Sequence, residues 1–308
     1  IANAIIGTFT VAFTWFVGRA WFGKFAGLIS SFFFAISPVA IIYSRSSWNP
    51  NPAPLFALIC AYSIYEVWQN KKPKWIIVTA VSLAAALQMH YLCLLLVPFL
   101  GIFWLLSLKY QSQQQSSSLL RSSLLGLILF LLMMSPLVLF DLKHDGMNFK
   151  AFKGFFTDRQ TTINLNPAKS DRFLPVVETI NNDLFLARQD FNNIWTVVVF
   201  VCLAAFGLLT AKNKQATYLT YIWIAIAILG LGVYKQHVYI HYLGFIYPAV
   251  YLLLGLILSL GLSHKSYIAK SLSLCLFVYL VFLNTKFSPL WQQPNRQMQV
   301  TEQAVDLI

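Results

Sequence analysis

The side chains best suited to chemistry in this sequence are polar and aromatic residues in four groups between long apolar runs. Their cations could hold a phosphate, and their Tyr and His side chains could donate hydrogen bonds to it. Carboxylates beside a hydroxyl group could act as a general base. Together such residues would form a polar wall for a phosphate or a sugar. The groups are Tyr43, Arg45, Trp48 and Asn49; Gln88, His90 and Tyr91; Asp141, Lys143, His144 and Asp145; and Lys235, His237, Tyr239, His241 and Tyr242.

The first group lies in a proline-rich segment, residues 36–54, between two membrane-length apolar runs. Proline interrupts helices and biases the residue before it away from the helical conformation, so we predict non-helical backbone here. Irregular backbone near a bilayer is tolerated only where protein or a water-filled cavity surrounds it. Arg45, Trp48 and Asn49 could therefore form the lip of a site. The alternative is an interfacial loop with an aromatic anchor and a snorkelling arginine.

The fourth group contains two histidines four residues apart, His237 and His241. On a helix they would share a face, and two histidines at this spacing can bind zinc. No acidic residue lies between them, so a divalent metal is compatible with the pattern but not indicated, and we predict no metal site. The alternative is an aromatic belt at the membrane interface. The sequence has no glycine-rich phosphate loop. If the phosphate belongs to a donor substrate, this absence favours a lipid-linked donor over a cytosolic nucleotide.

Composition places these groups in a membrane protein. The chain has 308 residues, of which 58% are hydrophobic and 10% are charged, whereas soluble domains carry about 25% charged residues. The net charge of +12 could suggest a nucleic-acid partner. We exclude that partner because the basic residues lie mostly at the ends of apolar runs, where they set membrane topology. Membrane lipids are the expected surroundings.

Ten apolar stretches predict an all-α polytopic fold, since each is too long and too continuous for a barrel strand. If the first stretch runs from outside to inside, the inner loops carry eleven Lys and Arg residues and the short outer loops carry two, Arg45 and Lys235. This asymmetry predicts that all four groups lie on the outer face. The stretches are residues 3–18, 25–43, 53–69, 75–90, 92–108, 122–141, 194–211, 217–234, 238–262 and 267–284.

We predict four parts: membrane helices over 1–141, an outer loop over 142–193, further membrane helices over 194–284 and an outer tail over 285–308. Nine of the ten acidic residues lie on the outer face, most of them in the long loop. The loop contains seven Phe residues, which indicates interfacial helices that roof a cavity rather than disorder. Residues 111–118 are predicted to form a flexible inner linker. Glu66 lies near an inner helix end, and the absence of a deeper carboxylate disfavours an ion-coupled transporter.

Three of these stretches resemble a known family. The run 37–51, which ends in Tyr-Ser-Arg-Ser-Ser-Trp-Asn-Pro-Asn, is similar to a region of bacterial family 39 membrane glycosyltransferases. This family includes polyprenyl-phosphate-mannose:protein mannosyltransferases and aminoarabinose transferases and has the GT-C fold. The segment 86–91, Ala-Leu-Gln-Met-His-Tyr, resembles an outer hairpin of the same proteins. His241-Tyr242-Leu243, before Pro248, resembles their later outer motif.

The resemblance implies an inverting transfer of a mannose-like or related sugar from a polyprenyl phosphate, on the outer face of a bacterial inner membrane. The family's catalytic base is an acidic residue in the first outer loop. This chain begins in what resembles the second helix, so we expect an N-terminal truncation and assign no catalytic residue. As candidates to line the donor or acceptor cavity we name Arg45, Trp48, Asn49, His90, Tyr91, Lys235, His241 and Tyr242. Outer-face candidates of second rank are Asp141, Lys143, His144 and Asp145.

Three alternative functions stay open at this point. A lipid-linked glycan polymerase or ligase would pair a large outer loop with several arginines, but the short outer loops carry one. A transporter or flippase of lipid-linked sugars would be favoured by an inverted internal repeat, which is not evident. A non-catalytic binding relative would lack the acidic first loop. The sequence leaves the sugar and the acceptor open, whether protein, lipid or glycan.

Overall fold

A computed structural model describes residues 1–157, 172–187, 194–235, 237–291 and 297–306. Within these ranges every regular element is a helix, which confirms the all-α prediction. Three of the acidic residues counted above, Asp158, Asp171 and Asp190, lie outside the described residues. The helices are α1 (Ala2–Phe22), α2 (Lys24–Ile36), α3 (Pro38–Arg45), α4 (Ala53–Trp68), α5 (Trp75–Met89), α6 (Leu96–Tyr110), α7 (Gln113–Lys143), α8 (Met147–Thr157), α9 (Phe173–Thr179), α10 (Ile194–Thr210), α11 (Lys214–Gly232), α12 (Tyr247–Leu262), α13 (Tyr267–Lys286) and α14 (Gln297–Val305).

The described helices include six that are long and apolar enough to cross a membrane, or seven if the bent pair α2–α3 is one span. Three shorter apolar helices, α4, α5 and α10, accompany them. Each of the ten apolar stretches predicted from the sequence is therefore largely helical. The chain is an integral membrane protein.

The core is built around α12, in which thirteen of the sixteen residues are buried. This helix packs most extensively against α2, and α1 in turn packs against α2. Glycines allow these close approaches: a Cβ at Gly255 would lie 2.5 Å from the carbonyl oxygen of Ala26, and one at Gly27 would lie 2.7 Å from that of Trp15. Small residues commonly bring membrane helices together in this way. By contrast, α7 buries two of its residues and exposes a face rich in leucine.

The prediction of non-helical backbone over residues 36–54 is wrong for Pro38–Arg45, which forms α3. Pro38 occupies the first position of this helix, where a missing N–H costs nothing, and the Ser37 side chain accepts a hydrogen bond from the Ala40 N–H. The proline therefore starts a helix, with a bend of 58° from α2. Residues 46–52 are non-helical, as predicted.

The flexible linker predicted over residues 111–118 is also wrong, because α7 begins at Gln113. The Ser112 side chain accepts from the Gln115 N–H, and the Gln115 side chain accepts from the Ser112 N–H. This capping box stabilises the first turn of a helix despite the polar composition.

The loops predicted to be inside meet at one end of the molecule. The Asn213 side chain donates to the Trp21 carbonyl at 3.1 Å and to the Tyr65 hydroxyl at 3.2 Å. Glu66, the one acidic residue predicted at this end, forms an ion pair of 2.7 Å with Lys72. The described turns at residues 46–52, 90–91 and 233–235 lie at the opposite end, which we call the outer end.

Candidate functional site

Three of the four polar groups meet at the outer end in a continuous set of aromatic rings. The rings of Trp48 and His241 are 4.2 Å apart between centroids, and those of Tyr43 and His241 are 6.0 Å apart. The His90 ring lies 4.7 Å from the Tyr242 ring. We call this set the outer aromatic cluster. Its members are Tyr43, Trp48, His90, Tyr91, Tyr234, Tyr239, His241 and Tyr242.

Two asparagines position the turn that carries Trp48. The Asn3 side chain donates to the Ser46 carbonyl at 2.7 Å, and the Asn51 side chain donates to the same carbonyl at 2.8 Å. The Ser46 carbonyl, which has no helical partner here, is therefore satisfied by two side chains. The indole of Trp48 stays half exposed beside His241.

His90 interrupts the helical backbone between α5 and a 3₁₀ turn, Tyr91–Leu95. Its φ of −157° and ψ of 133° are extended, and its Nδ1 accepts the N–H of Leu92 at 3.2 Å. This hydrogen bond leaves the proton of the neutral ring on Nε2. Burial, with a smaller contribution from His241, lowers the pKa of His90 to about 4. At neutral pH the residue is therefore an uncharged hydrogen-bond donor.

His241 and Tyr242 lie on a second 3₁₀ segment, Ile240–Ile246, just before the buried helix α12. The Tyr247 hydroxyl donates to the Ile240 carbonyl at 2.7 Å and fixes the start of this segment. The premise that His237 and His241 share a helix is wrong, because residues 237–239 are not helical. Among the described residues, no three His, Cys, Asp or Glu side chains are close enough together to hold a metal ion.

A large apolar cavity of about 670 Å³ borders one side of the outer aromatic cluster. The hydroxyls of Tyr91 and Tyr234 are hydrogen-bonded at 2.8 Å and both residues line this cavity. Its polar lining is sparse. The lining residues are Leu87, Gln88, Tyr91, Leu92, Leu94, Leu95, Leu137, Asn148, Ala151, Phe152, Gly230, Val233 and Tyr234.

A smaller cavity of about 260 Å³ borders the other side of the cluster, next to Tyr43 and His241. It lies between the outer ends of α1, α3 and α12. Hydroxyl and amide side chains are frequent in its wall, and Asn51 belongs to it. Its polar and aromatic lining residues are Asn3, Thr8, Thr10, Phe34, Tyr43, Ser44, Asn51, His241 and Tyr247.

Comparison with known proteins identifies the fold. The family model of dolichyl-phosphate-mannose-protein mannosyltransferases matches residues 1–140. A solved structure of ArnT from Cupriavidus metallidurans bound to undecaprenyl phosphate aligns at a TM-score of 0.62 and 16% identity, over 96% of this chain and 51% of that chain. The apo state of the same protein aligns at a TM-score of 0.61 and 14% identity, over the same shares of both chains. The chain has the GT-C fold, and its first 140 residues resemble this family.

The chain spans about half the length of these solved ArnT structures. No curated protein is significantly similar to it in sequence. The all-helical, GT-C-like architecture was correctly predicted from the sequence. The predicted family resemblance is also confirmed.

Two of the predicted cations, Arg45 and Lys235, are close in sequence to members of the cluster. Arg45 ends α3 and is exposed, and Asn49 is also exposed in the turn that follows. Lys235 follows the cavity-lining residue Tyr234, and its carbonyl accepts a hydrogen bond from the Arg172 guanidinium at 3.1 Å. Arg172 did not emerge from the sequence, because it sits in a long loop without apolar periodicity.

The third predicted group does not join the ring contacts of the other three. The carboxylate of Asp141 binds the N-terminus of α8, and the His144 ring stacks on Phe140 at 4.0 Å. Lys143 and Asp145 are exposed in the same corner. This corner borders the large cavity only through α8, which contributes Asn148, Ala151 and Phe152 to the wall.

A buried polar turn behind the cluster also escaped the sequence analysis. Residues Ile180–Phe185 form a π-helical turn that packs on α12, although the loop was expected to lie on the membrane surface. Asn181 and Asn182 are buried, and the Asp183 carboxylate is within electrostatic reach of Tyr43 and Tyr247. The signal available in the sequence was the Asn-Asn-Asp run between Ile180 and Leu184.

Proposed function

We propose that this protein transfers a sugar from a polyprenyl-phosphate donor to an acceptor at the outer face of the membrane. The observation that carries the proposal is the arrangement of two cavities. A large apolar one and a smaller one with several hydroxyl and amide groups in its wall border the same aromatic cluster, in a chain with the GT-C fold. The ArnT structure aligned above binds undecaprenyl phosphate, which supports the same class of donor here.

The large cavity suits the first isoprene units of the donor. Its wall is mostly aliphatic, and burial of apolar surface gains about 25 cal/mol per Å². A lipid donor reaches such a cavity from the bilayer. The tail would thus anchor the donor with its phosphate near the Tyr91 and Tyr234 hydroxyls.

Hydrogen-bond donors at the edge of the cluster would bind the phosphate. The Tyr91 and Tyr242 hydroxyls, the neutral Nε2–H of His90 and the Lys235 ammonium can all donate to phosphate oxygens. Negative charge on the phosphate grows as the bond to the sugar breaks. Donors held in advance by ring packing would stabilise that charge, which is usually a large contribution to catalysis.

The sugar then faces Trp48 and His241, and the smaller cavity takes its hydroxyls or those of the acceptor. An acceptor hydroxyl oxygen attacks the anomeric carbon, the bond from that carbon to the phosphate oxygen breaks, and polyprenyl phosphate leaves. The hydroxyl proton passes to a carboxylate base. The family resemblance assigns that base to the first outer loop, and we assign none of the described acids to the role.

The test uses the full-length protein in membranes with a panel of radiolabelled polyprenyl-phosphate sugars, including mannose. Acceptor-dependent transfer of the label would support the proposal. Label that stays on the lipid but changes leaflet would instead indicate a flippase, and polymerised label would indicate a polymerase. No consumption with any donor would contradict an enzymatic role.

A further inference from the structure

We infer that Asp141 is a positioning residue that holds helix α8 as one wall of the large apolar cavity. Both oxygens of its carboxylate are engaged at the start of this helix. Oδ1 accepts the N–H of Asn148 at 2.7 Å, and Oδ2 accepts the N–H of Phe149 at 2.7 Å. These are two of the four N–H groups that a helix N-terminus leaves without internal partners. A carboxylate there also interacts favourably with the helix dipole.

The connection between α7 and α8 is a sharp corner, which the hydrogen bonds of Asp141 span. Asp145 and Gly146 both have positive φ, at 52° and 68°, so the helix is broken at this corner. The His144 ring packs back on α7, where its Nδ1 contacts the Phe140 carbonyl at 2.8 Å, and within the described residues it forms no hydrogen bond to α8. Backbone hydrogen bonds from Gly146 and Met147 also cross this corner, and the Asp141 carboxylate adds two that reach directly into the first turn of α8.

The face that α8 turns to the cavity follows from helical spacing. Asn148, Ala151 and Phe152 are at positions i, i+3 and i+4 and line the cavity together. Lys150 and Lys153 are exposed on the opposite side. Asn148 thus both donates its backbone N–H to the Asp141 carboxylate and forms part of the wall. A loss of the Asp141 hydrogen bonds would shift the wall of the cavity while leaving the aromatic cluster in place.

The inference rests on the proposed function, in which this cavity holds the donor tail. Replacement of Asp141 should weaken binding of a donor with a polyprenyl tail, but not of an analogue in which a butyl group replaces that tail. We expect Asp141→Ala in the full-length protein to raise KM for the polyprenyl donor about tenfold, with kcat within about twofold. The KM for the butyl donor should change less than about twofold. Asp141→Asn, which keeps one acceptor oxygen, should be intermediate.

Glu302→Ala is the control, because it removes an exposed carboxylate from α14 and should change neither KM. Hydrogen exchange of residues 147–153 provides a second measurement that needs no turnover. It should become faster in Asp141→Ala and stay unchanged elsewhere in the chain. Equal losses with both donors, or unchanged exchange in α8, would overturn the inference. Absence of transfer by the wild-type protein would contradict the proposed function, while the exchange result would still report on Asp141.

Discussion

The hydrogen bond between the Tyr91 and Tyr234 hydroxyls joins two segments 143 residues apart at the edge of the large cavity. In the proposed function the Tyr91 hydroxyl also donates to the phosphate of the lipid donor, and Tyr91→Phe removes that contact with no change in ring packing. We expect kcat/KM to fall about tenfold or more, which corresponds to at least about 1.4 kcal/mol. Steady-state kinetics with the polyprenyl donor measures the effect.

The matched control is Tyr218→Phe, which removes an exposed hydroxyl near the inner end of α11. It should leave kcat/KM unchanged. A Tyr91→Phe protein with normal turnover and a normal Tm would remove this residue from the proposed phosphate site.

His90 makes stability depend on pH in a defined direction. Its pKa is about 4 in the folded protein and about 6.5 without the burial that lowers it. Between these values the unfolded chain binds a proton that the folded protein excludes, so stability rises with pH across this interval. We expect Tm to fall as pH is lowered from 7 to 4.5, and His90→Asn to lose less of its Tm over the same change. If the Tm of His90→Asn fell as far as that of the wild type, the pH dependence of stability would not originate from His90.

At the residue scale, the sequence predicted the members of the cluster better than their surroundings. Trp48, His90, His241 and Tyr242 were recognisable because they interrupt apolar runs, where polar residues are costly. Arg172 and Asp183 were not, because their loop has no periodicity from which its return into the core could be read. The metal hypothesis for His237 and His241 depended on a helical spacing that the backbone does not adopt.

At the scale of elements, the contact between α2 and α12 is sensitive to side-chain size. A Cβ at Gly255 would lie 2.5 Å from the Ala26 carbonyl oxygen and closer still to Ser30 Oγ. Backbone must therefore move, and overpacking of this kind typically costs about 1–3 kcal/mol. We expect Gly255→Ala to lower Tm by several degrees in detergent thermal unfolding. Gly101→Ala in α6 is the control, because no atom lies within 4 Å of its added Cβ.

An unchanged or higher Tm for Gly255→Ala would show that this helix crossing is looser than described. For Gly101→Ala a small increase is expected, since alanine favours helix over glycine by about 1 kcal/mol.

Element positions followed from hydrophobicity, while element boundaries depended on local hydrogen bonds. The ten apolar runs predicted the helices because the bilayer demands that length of apolar backbone. Two errors share a cause, because Ser37 and Ser112 act as helix caps in segments whose composition suggested irregular chain. A serine before a proline or a glutamine run can begin a helix, and capping then outweighs composition.

At the scale of the molecule, the arrangement of the two cavities predicts separable effects on the lipid tail and on the chemistry. Leu94 lines the large cavity, so Leu94→Trp should narrow it and raise the KM for a polyprenyl donor about tenfold with kcat nearly unchanged. Leu127→Trp on the exposed face of α7 adds the same bulk away from the cavity and should be neutral. A fall in kcat with an unchanged KM would argue against a tail-binding role.

The burial of α12 at the centre of the fold has a consequence for biosynthesis. This helix spans Tyr247–Leu262, so it is made after most of the helices that pack against it. Until translation passes that point, α2 lies in the bilayer with its tightly fitted face against lipid. The part of the core that surrounds α12 therefore forms only after that helix has entered the membrane.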